Sequence, residues 1–129
     1  MLGSTDIVAF VPTTDGVKSR AFYEGVLGLR FVSDDDFALV FSANGTMIRI
    51  VKLQQLAPVQ YTILGWQVKE IEKVVAGLHD QGVHFERYGF FKQDDLGIWT
   101  APSGDKVAWF KDPDGNTLSL SEHSDWAGR

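Results

Sequence analysis

The chain has 129 residues, of which 44% are hydrophobic and none is cysteine, and its formal charge at neutral pH is −5. This length suits one ordinary domain with enough apolar residues to bury a core, and the lack of cysteine excludes disulfides, thiolate metal sites and a thiol nucleophile. The negative charge disfavours nucleic acid and anionic membranes as partners. Because neither a membrane-length apolar run nor an export signal is visible, we expect a cytoplasmic protein without a membrane partner.

The first half of the chain predicts a strand, a helix and three further strands. Residues 5–11 are β-rich and end at Pro12, which cannot donate to a central ladder. Thr14 or Asp15 can cap a helix that ends at Gly28. The apolar stripe of this helix comprises Val17, Ala21, Phe22, Val26 and Leu27. The three further strands are predicted over residues 29–33, 37–42 and 46–53.

The second half repeats this order after a loose connection over residues 54–58. A strand is predicted over 61–68, and a helix follows that ends at Gly82. The apolar positions of this helix are Ile71, Val74, Val75 and Leu78. Residues 83–88 read as the next strand. The Gly-rich stretch 89–104 is then an insertion, which we expect to fold back beside the strand that ends at Lys111.

The stretch 107–120 predicts two strands joined by a tight turn. Pro113 restricts φ early in the turn, and Gly115 accepts the positive φ that closes it. The side chains of Asp112 and Asn116 can bond nearby backbone amides. Beyond the turn, polar residues alternate with leucines in the order Thr117, Leu118, Ser119, Leu120, Ser121. One face of this strand is therefore expected to be apolar, and the polar face is the place to look for function.

The same pattern occurs earlier, over residues 37–50, so the chain looks internally duplicated. Alignment of Gly45 on Gly115 places Arg49 at the position of Ser119. The other matches at this spacing are Ala38 with Ala108, Val40 with Phe110, Ile48 with Leu118 and Ile50 with Leu120.

The chain resembles the vicinal oxygen chelate superfamily in three features. These are the sequence of the predicted helix over residues 20–29, the duplicated βαβββ order and the sequence of the last hairpin turn over residues 112–116. This superfamily includes glyoxalase I, extradiol dioxygenases, fosfomycin-resistance enzymes and bleomycin-resistance proteins. The resemblance implies an α+β fold in a single domain, residues 1–129, with modules at about 1–53 and 60–123. The curled mixed sheets of the modules would enclose an open cup, and the chain would form a homodimer.

The resemblance also implies where a metal ion would bind, namely His or Glu on the first and last strands of each module. Ser119 and Arg49 occupy the last-strand positions, and Ile63 occupies the first strand of the second module. In the first strand the alignment leaves Asp6 or Ile7, and only Asp6 could ligate a metal ion. Of the histidines, His79 and His84 are expected at the surface, and His123 shares the strand parity of Ser119 and could reach the cup rim. We therefore expect neither a metal ion nor another cofactor.

Strand parity predicts a binding constellation for a small-molecule ligand. Trp109 should lie beside Ser119, with Trp99 of the insertion closing over them, and Leu39, Met47 and Arg49 should share the corresponding face of the first module. Two indoles and a guanidinium can stack a flat group and bind a carboxylate, carbonyl or phosphate. The candidate ligand-binding residues are Arg49, Trp99, Trp109, Ser119, Asp6 and His123.

A structural interpretation of these residues stays open, with Trp66 and Trp109 as core residues and Arg49 paired with Asp6 or Glu122. Three functions remain. The first is a metal-independent small-molecule-binding protein that holds an aromatic or amphipathic compound. The second is a lyase or dioxygenase whose metal uses Asp6, His123 and a further ligand. The third is a metal-free enzyme. A serine–histidine nucleophile is not expected locally on the last strand, because adjacent residues point to opposite faces, and spatial neighbours could still supply one.

Overall fold

A computed structural model describes residues 1–126 and 128 and divides the chain into two compact units, one of Met1–Pro58 and one from Val59 onward. Each unit contains a four-stranded mixed sheet and a helical segment. The predicted α+β class with mixed sheets is confirmed. Among the described residues, no helix combines the length and the apolar character needed to cross a membrane.

The first unit contains a sheet of four strands in the order β1-β4-β3-β2, with β1 parallel to β4 and the other neighbours antiparallel. The elements are a 3₁₀ turn Leu2–Ser4, β1 Val8–Thr13, α1 Gly16–Arg20, a π-helical continuation Ala21–Val26, β2 Arg30–Asp34, β3 Ala38–Ala43 and β4 Thr46–Lys52. Strand β1 begins later than predicted and continues through Pro12, which an edge strand tolerates because one of its sides makes no ladder bonds. Asp15 caps α1 as predicted, since its carboxylate accepts from the Lys18 amide at 3.1 Å.

The helical segment packs on one face of this sheet through Tyr23 and Ser19. Tyr23 is fully buried with its ring 6.1 Å from that of Phe41, and the Ser19 hydroxyl lies 2.6 Å from the Thr13 hydroxyl. The predicted stripe is wrong at Val17, which is 83% exposed, and at Ala21, which is also exposed. The hydroxyl pair and the tyrosine determine which side of the helix is buried, and that side does not include Val17.

The second unit has its four strands in the order β5-β8-β7-β6. Its elements are β5 Leu64–Gln67, α2 Ile71–Asp80, β6 Trp99–Thr100, β7 Lys106–Lys111 and β8 Thr117–Glu122. The predicted strand over 83–88 is wrong, because only an isolated bridge from Phe85 to Phe110 forms there. The insertion supplies β6 instead and pairs Trp99 with Val107, so it folds back beside β7 as predicted.

The two hairpins have related turns of different length. Asn44 and Gly45 join β3 to β4 with φ values of 50° and 85°, and Gly115 closes the β7–β8 turn with the predicted positive φ, 85°. Counted between equivalent ladder positions, the second connection is one residue longer, so the predicted matches before the turn are wrong by one position. Phe110 corresponds to Phe41 and Trp109 to Val40, because Phe41 pairs with Ile48 and Phe110 with Leu118.

Asp35, in the turn before β3, provides a test of pH-dependent stability. Its carboxylate accepts from the backbone amides of Phe37 at 2.7 Å and Ala38 at 3.0 Å, and these hydrogen bonds lower the pKa of Asp35 below its usual 3.8. A lowered folded-state pKa means that the carboxylate stabilises the fold above the unfolded-state pKa and loses this contribution as the pH falls through the folded-state pKa. We expect Asp35→Asn to be less stable than the wild type near pH 7 and to match it near about pH 2.

Urea titration at both pH values measures this difference. Asp36→Asn is the matched control, because Asp36 is exposed and adjacent. An Asp35→Asn deficit that persists unchanged in acid would contradict the assignment.

Candidate functional site

The first sheet has an open face opposite α1 that combines apolar side chains with a guanidinium. The ladder places Phe10 of β1 and Val40 of β3 on either side of Arg49 in β4, and paired residues share a face. Val8 pairs with Met47 on the same face. Three of these side chains are exposed to solvent, Phe10 at 62%, Met47 at 42% and Val8 at 40%, whereas Val40 is buried, at 6% exposure. We call the set Val8, Phe10, Met47 and Arg49 the open face.

Arg49 is the charged group of the open face. Its side chain is half-buried and makes no hydrogen bond or ion pair with any residue in 1–126 or 128. Within the described first unit Asp6, an exposed residue before β1, makes no ion pair with Arg49, whose charge instead adds to the backbone hydrogen bonds that lower the pKa of Asp35. The guanidinium is therefore available to a ligand.

The prediction that Leu39 shares this face is wrong. Leu39 pairs with Ile50 and is 1% exposed, so it lies on the side covered by the helix. Val40 takes the predicted place beside Arg49, because the register of the β3–β4 hairpin puts even-numbered β3 residues opposite odd-numbered β4 residues.

The second sheet carries an aromatic cluster in place of an open indole pair. Trp109 lies beside Ser119, as strand parity predicts, and the Trp99 ring is 6.2 Å away. Phe91 stacks on Trp109 at 5.2 Å with an interplanar angle of 2° and contacts Trp99 at 4.5 Å. The aromatic cluster comprises Tyr88, Phe90, Phe91, Trp99 and Trp109. One face of Trp109 is thus already covered.

Tyr88 and Phe91 were missed from the sequence, although the run Tyr-Gly-Phe-Phe over 88–91 in a Gly-rich insertion was a usable signal. Tyr88 packs edge-on against Trp109 at 5.4 Å, and burial, together with the nearby Glu86 charge, raises the pKa of its phenol. Trp66 is partly buried and stacks on Phe110 at 6.4 Å. Phe90, unlike the other rings of the aromatic cluster, is 80% exposed, so its ring is accessible to a ligand.

The alternation of polar residues and leucines in β8 predicts a polar face open to solvent, and in the structure most of this face is buried. Thr117 is fully buried and Ser119 is 8% exposed. Strand β5 lies against it, since a Cβ added to Gly65 would sit 2.8 Å from the Ser119 hydroxyl oxygen. Ser119 is therefore buried beside the Gly65 backbone of β5 and Trp109 of β7. At the end of β8, residues 121–122 are those of the strand that reach solvent.

At that end the prediction that no serine–histidine pair forms is wrong. Ser121 and His123 are two residues apart and share a face, with the Ser121 Oγ 2.9 Å from the His123 Nε2. The His123 Nδ1 lies 3.0 Å from Oδ2 of Asp105. The hairpin register pairs Lys106 with Glu122 and so brings Asp105 opposite His123, a signal that the predicted hairpin already contained.

The side chains do not fit the metal centre that the resemblance implies. Arg49 would repel a cation, and neither Ser119 nor Ile63 is a suitable donor. In the parts of the chain that the structure describes, no three His, Asp, Glu or Cys side chains converge to hold an ion. Asp6 and His123 alone would leave the coordination sphere incomplete.

A family model of the Glyoxalase/Bleomycin resistance protein/Dioxygenase superfamily matches residues 6–120, and the chain belongs to this superfamily. A superfamily member from Sphaerobacter thermophilus has a TM-score of 0.74 at 22% identity, over 95% of this chain and 100% of that one. A lactoylglutathione lyase from Agrobacterium tumefaciens has a TM-score of 0.72 at 18% identity, over 96% and 97%. A glyoxalase family protein from Enterococcus faecalis has a TM-score of 0.67 at 23% identity, over 91% and 94%. These identities show the fold alone, and no curated protein matches.

Proposed function

We propose that the protein binds a small aromatic or amphipathic compound that carries an anionic or carbonyl group, and that it does so without a metal ion. The observation that supports this is the open face, where exposed Phe10 and Met47 flank the Arg49 guanidinium, which makes no hydrogen bond or ion pair with the described residues. The apolar part of the ligand would remove this surface from water. The ligand's oxygen atoms would accept hydrogen bonds from the paired N–H groups of the Arg49 guanidinium.

The aromatic cluster supports the same ligand class from the second unit. Its exposed member, Phe90, offers a ring face for stacking, and its remaining rings are held in place by mutual contacts. Rigid aromatic side chains lose little conformational entropy when a ligand binds. Their ring faces favour ligands with a planar group that can stack on them. The homodimer that the resemblance implies is part of this proposal, and light scattering of the purified protein tests it.

Arg49→Ala tests the binding surface with anilinonaphthalene sulfonate, a fluorescent aromatic anion. We expect the variant to remain folded and to bind the probe about 1–3 kcal/mol more weakly, the contribution of a charged hydrogen bond, or roughly 5- to 150-fold in Kd. Arg49→Lys should bind with intermediate affinity, because an ammonium lacks the paired donors. Fluorescence titration measures the affinity, and circular dichroism checks the fold.

Lys18→Ala is the matched control, since Lys18 is an exposed cation on the helical side of the same unit. Equal probe binding by Arg49→Ala and the wild type would contradict the proposed surface. Severe unfolding of Arg49→Ala would instead assign Arg49 a structural role. Affinity that falls on dialysis against a chelator and returns with zinc, nickel, manganese or iron would contradict metal independence.

A further inference from the structure

A serine, a histidine and an aspartate form a continuous hydrogen-bonded series at the end of the second sheet. The Ser121 Oγ is 2.9 Å from the His123 Nε2, and the His123 Nδ1 is 3.0 Å from the Asp105 Oδ2. An ionised carboxylate can only accept, so Asp105 requires the hydrogen of the imidazole to be on Nδ1. The Nε2 lone pair then faces the Ser121 hydroxyl, which is the arrangement that activates a serine nucleophile.

We propose that Ser121 and His123 are catalytic residues, and Asp105 a positioning residue, for the hydrolysis of small neutral or cationic esters. The Ser121 Oγ attacks the ester carbonyl carbon while its proton passes to the His123 Nε2. The carbon–oxygen bond to the alcohol breaks, and the departing oxygen takes that proton. Water then attacks the carbonyl carbon of the acyl-serine ester while the same imidazole accepts its proton. The imidazole returns that proton to the Ser121 Oγ, so the carboxylic acid is released and Ser121 is restored.

The surroundings determine the class of substrate. A cavity of about 210 Å³ adjoins the imidazole, and its lining consists of Ser103, Asp105, His123, Asp125 and Trp126. This volume suits a short acyl or aryl group. The two carboxylates disfavour an anionic substrate and favour a neutral or cationic one, while the indole of Trp126 offers a face for an apolar or cationic group.

A donor for the developing oxyanion is also within the same sheet. Gln67 of β5 pairs with Ser121 in the parallel ladder, so the two residues share a face. Gln67 is exposed, and its side-chain amide makes no hydrogen bond to the residues that the structure describes. An amide N–H beside the nucleophile can stabilise the negative charge of the tetrahedral intermediate.

A purely structural role accounts poorly for the series. The side chains of His123 and Asp105 are 39% and 32% exposed, and polar contacts between exposed side chains contribute little to stability. The three groups lie at the sheet end, outside the buried core. Their alignment is therefore unnecessary for folding, and removal of any one of them should leave the fold intact.

The test is hydrolysis of p-nitrophenyl acetate by the full chain and its variants. We expect Ser121→Ala and His123→Ala to lose about 10²- to 10⁴-fold in kcat/KM, with Gln67→Ala losing at least about 10-fold. Asp105→Asn should lower kcat with little change in KM, and Asp105→Glu should restore part of the loss. Ser124→Ala is the matched control, because Ser124 is an exposed serine next to His123.

Mass spectrometry of the quenched reaction should locate an acetyl group on Ser121. Wild-type turnover by Ser121→Ala, or an acetyl group on His123 in the absence of one on Ser121, would overturn the proposal, because the imidazole would then act alone. No turnover above buffer by the wild type would overturn it as well. Circular dichroism and tryptophan fluorescence verify that each variant is folded.

Discussion

Replacement of Phe110 by alanine is expected to lower the free energy of unfolding by about 3–5 kcal/mol, the range for loss of a buried aromatic side chain. Phe110 is fully buried in β7 and pairs with Leu118. Its ring lies 5.5 Å from that of Phe85 and 6.4 Å from that of Trp66. Alanine would leave a cavity between these two rings, and the cost of that cavity adds to the lost burial of the phenyl group.

Tryptophan fluorescence during urea unfolding measures this effect. All four tryptophans lie in the second unit, so the signal reports on the unit that contains Phe110; they are Trp66, Trp99, Trp109 and Trp126. Phe90→Ala is the matched control, since Phe90 is an aromatic residue of the same unit with 80% exposure. A loss below about 1 kcal/mol for Phe110→Ala would show that the site collapses without a cavity.

Asp112→Ala is expected to lower the free energy of unfolding by about 2–4 kcal/mol, because it leaves buried or part-buried donors without their acceptor. The Asp112 carboxylate is 5% exposed and accepts from the backbone amides of Asp114 at 3.0 Å and Asn116 at 2.9 Å. It also accepts from the Asn116 side-chain amide at 2.9 Å. These bonds hold the β7–β8 turn that sets the register of both strands.

Asp112→Asn should lose less, since its amide oxygen can still accept from the backbone. Pro113→Ala serves as the control for the turn, because Pro113 is exposed. Urea denaturation followed by tryptophan fluorescence compares the three variants. If Asp112→Ala proves as stable as Pro113→Ala, the carboxylate does not hold the turn.

The local features of the fold were predictable because short-range chemistry determines them. The Asp15 cap, the turn at Gly115 and the end of the first helix at Gly28 each depend on residues a few positions apart. The parity that places Trp109 beside Ser119 follows from the two-residue period of a strand once the hairpin is known.

The predicted strand over 83–88 failed because a strand exists only where a partner completes its ladder. Residue Phe85 reaches Phe110 in a single bridge, while the insertion supplies Trp99 and Thr100 as the paired edge of β7. Which of two competing segments pairs with an edge depends on packing over long sequence distances, and propensity does not contain that information.

The residues of the candidate site also fall into those that strand parity predicts and those that depend on long-range packing. Arg49 and Trp109 were identified from strand parity, but the insertion of Phe91 against Trp109 depends on how a Gly-rich loop folds. The shared parity of Ser121 and His123 was predicted, but their hydrogen bond was not, because only adjacent residues were considered as a serine–histidine pair.

By itself the sequence determined the superfamily and the two hairpin turns, because the superfamily follows from the order of motifs along residues 6–120 and each turn depends on residues a few positions apart. The tertiary structure decided which face of each sheet is covered, which aromatic ring packs on Trp109, and the approach of Asp105 to His123 across the hairpin. These contacts join residues that are distant in sequence, and only the packed chain brings them within bonding distance.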